Sequence, residues 1–283
     1  MMNHIRLHEG FPLLPHPRAR AVIDTQALIQ NYHTLLGPVK AVSPHTYAIA
    51  VVKADAYGHG IRPVVSALLE AGCRSFAVAC LEEAVALRRL LRELLTGTAS
   101  DLETDILVLG YTDPQNAPIL AAYHISTALL SAEYAFRLLA CAAEARVTVK
   151  GHIALDTGMN RIGFPAQDFR SVRDTVKRLA AMTRQRTLRL EGVFSHLAAA
   201  DEPMGSRGEA LTHKQVERFR AVCAGLEAET DTPLLYHLCN SAGTLRLPKD
   251  LLDGYRLGIL LYGAHPSSDF SLPVRSVMRL VTR

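Results

Sequence analysis

Lys53 stands at the end of an apolar run in AVVKADAYGHG, with Tyr57 four residues on and Gly58 and Gly60 close behind. An amine freed of its proton is a nucleophile toward a carbonyl carbon, so a lysine at the rim of a buried strand can form a Schiff base. A lysine that closes a buried strand can also simply snorkel outward, its stem packed and its ammonium in water. The neighbours favour the first reading. Tyr57 can donate to a phosphate, and Gly58 and Gly60 let backbone approach a ligand closely.

Seven further positions carry the same kind of signal. Arg161 lies in DTGMNRIGF, His196 ends GVFSH, Asn240 and Ser241 end LLYHLCNS, and Arg256, Gly258 and Ile259 stand in YRLGI. Each has a plain alternative. Asp156, Gly158 and Asn160 are turn residues that would surround Arg161 in any surface turn. Arg256 could be a salt-bridged surface group, His196 a satisfied core histidine, and Ser241 a helix N-cap or part of a phosphate cradle. Together they suit a phosphorylated, planar ligand bearing a carbonyl. An arginine facing a pyridine nitrogen keeps its own proton, because its ordinary pKa is above ~12, and the ring is then a weaker electron sink.

These residues must be brought to one place. Eight segments read as strands: 46–52, SFAVAC, 106–110, 125–130, 147–158, 188–196, 234–241 and 255–263. Helical patterns lie between most of them, among them 62–71, bracketed by Pro63 and Gly72, and LEEAVALRRLLREL, acidic first and basic later. Alternation of this kind predicts an α/β fold, a closed (β/α)8 TIM-like barrel whose working residues sit at the C-terminal strand ends. ARAVID, at 19–24, reads as an extra strand, and residues 95–105 and 201–210 read as insertions. No GxGxxG or GxxxxGK[ST] follows a strand, which argues against a nucleotide fold.

The chain has 283 residues, 49% hydrophobic and 20% charged, with a formal charge of +4 spread without a basic stripe, so no nucleic-acid partner is expected. Five scattered cysteines with no CxxC pair predict neither a disulfide framework nor a metal site, and fit a reducing, cytoplasmic setting. No apolar run reaches the ~18 residues of a membrane span. Residues 1–18 read as a loose leader.

AVVKADAYGHG, FAVACLEEAVALR, DTGMNRIGF, EGVFSHLAAADE, HLCNSAG and RLGILLYGAHPS, in that order, resemble the bacterial alanine racemases from about Arg20 to Ser268. The resemblance implies a pyridoxal 5'-phosphate-binding barrel that interconverts L- and D-alanine, supplying D-alanine for peptidoglycan. It implies that Lys53 holds the cofactor covalently and acts as one of two bases. Tyr57, Ser241 and the backbone of Gly258 and Ile259 would hold the phosphate. His196 would lie against the ring, Arg256 would face its nitrogen, and Arg161 would orient cofactor or substrate. Asn240 and His237 would support these groups from behind. A homodimer is implied too.

Two departures stand out. The family usually has a lysine, often carbamylated, where this chain has Ala154, which puts the placement of Arg161 in question. The family's C-terminal β-domain, with the tyrosine that serves as second base, has a counterpart here only in 266–283. The expected division is therefore a leader at 1–18, a barrel at 19–265 and the start of a truncated β-domain at 266–283, with racemisation crippled. A serine racemase of the same fold and a non-catalytic pyridoxal-phosphate-binding barrel are the alternatives.

Overall fold

The computed structural model describes residues 18–43, 46–96, 103–167, 170, 174, 177, 186–229, 233–248, 253–267, 269 and 272–282. Eight parallel strands form its centre: β2 (Tyr47–Val51), β3 (Ser75–Val78), β4 (Asp105–Val108), β5 (Ser126–Leu129), β6 (Val149–Asp156), β8 (Leu188–Phe194), β9 (Leu235–Cys239) and β10 (Gly254–Leu257). The hydrogen-bonded order is β5-β4-β3-β2-β10-β9-β8-β6, and a β5–β6 pairing closes the ring. The two-residue strand β7 (Phe164–Pro165) pairs with β6 beyond that ring. The expected (β/α)8 barrel is therefore the fold.

Closure follows from the period-two pattern of the strands. In β2, Ala48 and Ala50 join the large core shared with the helices, while Ile49 and Val51 cluster with Ala77 of β3 and Leu107 of β4. A strand packed on both faces has to be apolar throughout, which is how β2 reads. The outer layer includes α1 (Thr25–Val42), α3 (Ile61–Glu70), α4 (Leu81–Leu94), α5 (Ala117–Ala122), α6 (Ala132–Glu144) and α7 (Arg207–Glu229). Two short helices stand at strand ends: α2 (Lys53–Tyr57) after β2, and α8 (Ser241–Arg246) after β9.

β1 (Ala19–Ile23) stays out of the barrel and pairs antiparallel with β11 (Met278–Thr282), Ala19 opposite Thr282 and Ile23 opposite Met278. Three expectations need correction. The strand expected over 255–263 stops at Leu257, and Ile259–Tyr262 form a 3-10 turn closed by Gly263 in the left-handed region. The insertion expected at 201–210 is shorter, because α7 already begins at Arg207. Within the insertion expected at 95–105, Asp105 already belongs to β4, and residues 97–102 lie outside the described residues, as does the leader up to residue 17.

Candidate active site

Lys53, Tyr57, Arg161, His196, Asn240, Ser241, Arg256, Gly258 and Ile259 line one cavity of about 630 Å³ at the C-terminal ends of the barrel strands. His237 stands behind it, fully buried.

Lys53 leaves β2 into an unusual piece of backbone. Ala54, Asp55, Ala56 and Tyr57 have φ of 51°, 53°, 55° and 54°, a single left-handed turn made without glycine. The left-handed region costs roughly 1–2 kcal/mol for each residue with a β-carbon, so other contacts must hold this turn. Downstream, the amides of Gly58 and Gly60 donate to the carbonyls of Ala54 and Asp55, and Asp55 Oδ1 accepts from Ile61 N at 2.7 Å. Upstream, Glu83 Oε1 accepts from Ala54 N, and its Oε2 accepts from Ala79 N, both at 2.8 Å. The turn brings Tyr57 back over the cavity, its ring 5.9 Å from Lys53 Nζ and 5.0 Å from that of Tyr262. Burial raises the Tyr57 pKa, so the hydroxyl keeps its proton to donate.

Opposite Tyr57 lie Ser241 and Gly258. Asn240, not Ser241, caps α8: its Oδ1 accepts from Gly243 N at 2.9 Å. Ser241 Oγ is thereby left to accept from the amides of Gly258 at 3.2 Å and Leu260 at 3.3 Å. A β-carbon on Gly258 would stand 3.0 Å from the Tyr57 hydroxyl and 3.6 Å from Ser241 Oγ. The hydroxyls of Tyr57 and Ser241 thus converge on the space beside the Gly258 backbone that a side chain there would fill, a donor set suited to a phosphate.

Arg256 lies in the cavity wall, 3% exposed and held from behind. Nη1 donates to His237 Nδ1 at 2.9 Å and to His237 O at 2.8 Å, and Nη2 donates to Ser195 O at 2.6 Å and Leu238 O at 3.0 Å. Its guanidinium carbon stands 5.4 Å over the Phe194 ring. Burial, with a smaller push from Arg161, lowers its pKa to about 10, so it stays charged at neutral pH.

His196 is anchored through its backbone. Gln215, fully buried on α7, donates Nε2 to His196 O at 2.9 Å and to Thr157 Oγ1 at 3.2 Å, while its Oε1 accepts from Ala198 N at 2.9 Å. One carboxamide therefore ties the loop after β8 to the loop after β6. Burial and the charges of Arg256, Arg161 and Lys53 pull the His196 pKa down to about 3, so the ring is neutral. Sequence reasoning singled out neither Gln215 nor Glu83, for each reads as a polar residue of an amphipathic helix.

Arg161 sits at the rim, exposed, on a loop that Asp156 organises by accepting from Gly158 N and Asn160 N, each at 3.0 Å. Arg218 Nη1 donates to Thr157 O at 2.8 Å. Ala154 faces the same cavity with no polar group. Among the described residues no group of three or more His, Cys, Asp or Glu could hold a metal ion, and no helix is long and apolar enough to cross a membrane.

A closed parallel barrel with a cavity at its strand ends lined by Lys53, Arg161 and Arg256 defines a (β/α)8 protein with a cationic pocket. More narrowly, the chain belongs to the family described as alanine racemase, N-terminal domain, which matches residues 23–266. The alanine racemase of Desulfovibrio desulfuricans is 36% identical over 265 residues, covering 93% of this chain and 65% of that protein. Alanine racemase 1 of Bacillus subtilis is 36% identical over 255 residues, covering 89% of this chain and 58% of that one. Among solved structures, the alanine racemase of Streptomyces coelicolor superposes with a TM-score of 0.78 at 32% identity, over 93% of this chain and 66% of that chain. The chain thus spans less than two thirds of the length of the curated relatives it matches.

Proposed function

We propose that this chain is the cofactor-binding barrel of a pyridoxal 5'-phosphate-dependent amino-acid racemase acting on alanine. The observation that carries the reading is the convergence of Tyr57, Ser241 and Gly258 on one space, in a cavity lined also by Lys53, Arg161 and Arg256. When bound, pyridoxal phosphate supplies an electron sink that acidifies the α-proton of an attached amino acid.

In this reading Tyr57, Ser241 and the backbone of Gly258 and Ile259 bind the phosphate. Lys53 would condense with the cofactor's aldehyde with loss of water and, once displaced by the substrate amine, would be free to move the α-proton on one face. Arg256, fixed by its four bonds, presents a permanently protonated group to the ring nitrogen and so gives that nitrogen no proton. Neutral His196 packs against the ring, and Arg161 at the rim orients the substrate carboxylate. Phe194 and Leu109 help to keep water from the site.

Racemisation also needs a proton donor on the opposite face. Among the described residues Tyr57 is the tyrosine that lines the cavity, and its hydroxyl lies beside Gly258, on the side read as the phosphate space. The opposing group is therefore assigned to a second copy, or to the length of the relatives that this chain does not span. β11, paired with β1 outside the barrel, fits the reading of 266–283 as the opening of a further β-rich unit.

The test is to mix purified chain with pyridoxal phosphate, reduce with borohydride and map the adduct. A pyridoxyl group on Lys53, absent in Lys53→Ala, supports the reading. Solvent deuterium should enter the α-position of L-alanine, with D-alanine forming ~10²–10⁴-fold more slowly than a two-base enzyme allows. An adduct without exchange would favour a binding module, and no adduct at all would overturn the assignment.

A further inference from the structure

Building on the reading that Lys53 bonds the cofactor, we propose that Glu83 is the positioning residue that holds Lys53 in place. The four residues after Lys53 occupy the left-handed region without glycine, so their intrinsic preference works against the turn, which the backbone bond from Ala56 N to Val52 O at 3.0 Å spans. The downstream half of the turn has its own hydrogen bonds, from Asp55, Gly58 and Gly60. At the upstream half, one residue from Lys53, the side chain that meets the backbone is Glu83.

Its two carboxylate oxygens are both used. Oε1 accepts from Ala54 N, just past Lys53, and Oε2 accepts from Ala79 N, the first residue after β3, each at 2.8 Å. The carboxylate therefore staples the ends of neighbouring strands β2 and β3 where the lysine emerges. Lys53 and Ala79 both line the cavity, so the staple fixes its wall as well as its nucleophile. Glutamine has a single oxygen, and its amino group would meet one of the two donors head-on. Aspartate is one methylene shorter and cannot span both. Glu82, adjacent and fully exposed, carries the same charge at the same helix start.

The experiment follows formation of the borohydride-trapped Lys53 adduct with pyridoxal phosphate in wild type, Glu83→Gln, Glu83→Asp, Glu82→Gln and Glu83→Gln/Ala54→Gly, beside the urea midpoint of each. Misplacing a reacting group by about 1 Å can cost ~10²-fold, so Glu83→Gln and Glu83→Asp should trap on the order of 10-fold more slowly or worse. Glu82→Gln should match wild type. Ala54→Gly should restore part of the rate, since glycine adopts φ of 51° freely. Should Glu83→Gln fail to fold, Glu83→Asp carries the same comparison. Wild-type trapping rates in the Glu83 variants, or a loss that Ala54→Gly leaves unchanged, overturn this proposal alone. A wild-type chain that forms no adduct overturns the cofactor reading and this proposal with it.

Discussion

Nη1 of Arg256 lies 2.9 Å from Nδ1 of His237, and this contact sets the protonation of everything behind it. An arginine can only donate, so His237 Nδ1 accepts and, the ring being neutral, its proton sits on Nε2. That proton points to His152 Nδ1 at 3.0 Å, which leaves the His152 proton on Nε2, 4.0 Å from Glu191 Oε2. Glu191 in turn meets Lys150 at 2.9 Å and Ser126 Oγ at 2.6 Å. A polar file thus runs through the barrel from the cavity to the opposite end.

Arg256→Lys should be costly despite keeping the charge. A lysine has three donors on one nitrogen and cannot reach the acceptors that the guanidinium fork meets from two. Orphaned buried carbonyls should lower unfolding stability by about 2–4 kcal/mol, read from urea curves. A change within ~0.5 kcal/mol would contradict the four-bond anchor.

The histidines predict the acid side of the stability profile. Burial is the main cause of depression in each: the pKa is about 3 for His196, about 4 for His152 and well below the ordinary value for His237. Between about pH 6.5 and those values the unfolded chain binds protons that the folded chain refuses, so stability is full above that window and falls as pH falls through it. Each histidine can contribute ~1.4 kcal/mol per pH unit once well below its unfolded pKa. Urea midpoints of the cofactor-free chain should be level from pH 7.5 to about 6.5 and drop steadily from there to pH 4.5. A flat profile would show that the histidines take up protons while folded.

Gly258→Ala tests the phosphate space. The added methyl would stand 3.0 Å from the Tyr57 hydroxyl. Overpacking of ~1–3 kcal/mol should weaken pyridoxal phosphate binding about tenfold or more, and pyridoxal, which lacks the phosphate, far less. Equal losses for both compounds in equilibrium titrations would place the phosphate elsewhere.

Gln215→Leu keeps the volume but removes three hydrogen bonds and leaves the His196 carbonyl and Ala198 amide without their partner. Stability should fall by about 1–3 kcal/mol. Cofactor affinity should fall further than in a surface variant of α7, because His196 is free to shift. Gln215→Glu should be no milder, since a carboxylate repels the His196 carbonyl it would face.

The order of strands, the barrel and the residues that could do chemistry were legible in the chain because they are local. Apolar alternation marks β2, a lysine ends it, and glycines mark close approaches. The convergence of Lys53, Tyr57, His196, Ser241 and Arg256 on one cavity follows once eight parallel strands close, since every C-terminal strand end then lies on one rim. The rest depended on partners distant in sequence. Nothing near Ala54 announces a left-handed turn; Glu83, twenty-nine positions away, accepts its first amide. Gln215 looks like any polar helix residue until α7 packs its carboxamide between two loops. The stop of β10 at Leu257, and the choice of Asn240 over Ser241 as cap, were decided by which donor found which acceptor in three dimensions. Hydrogen bonds between distant residues leave no periodic trace in a sequence, whereas burial of a strand face does.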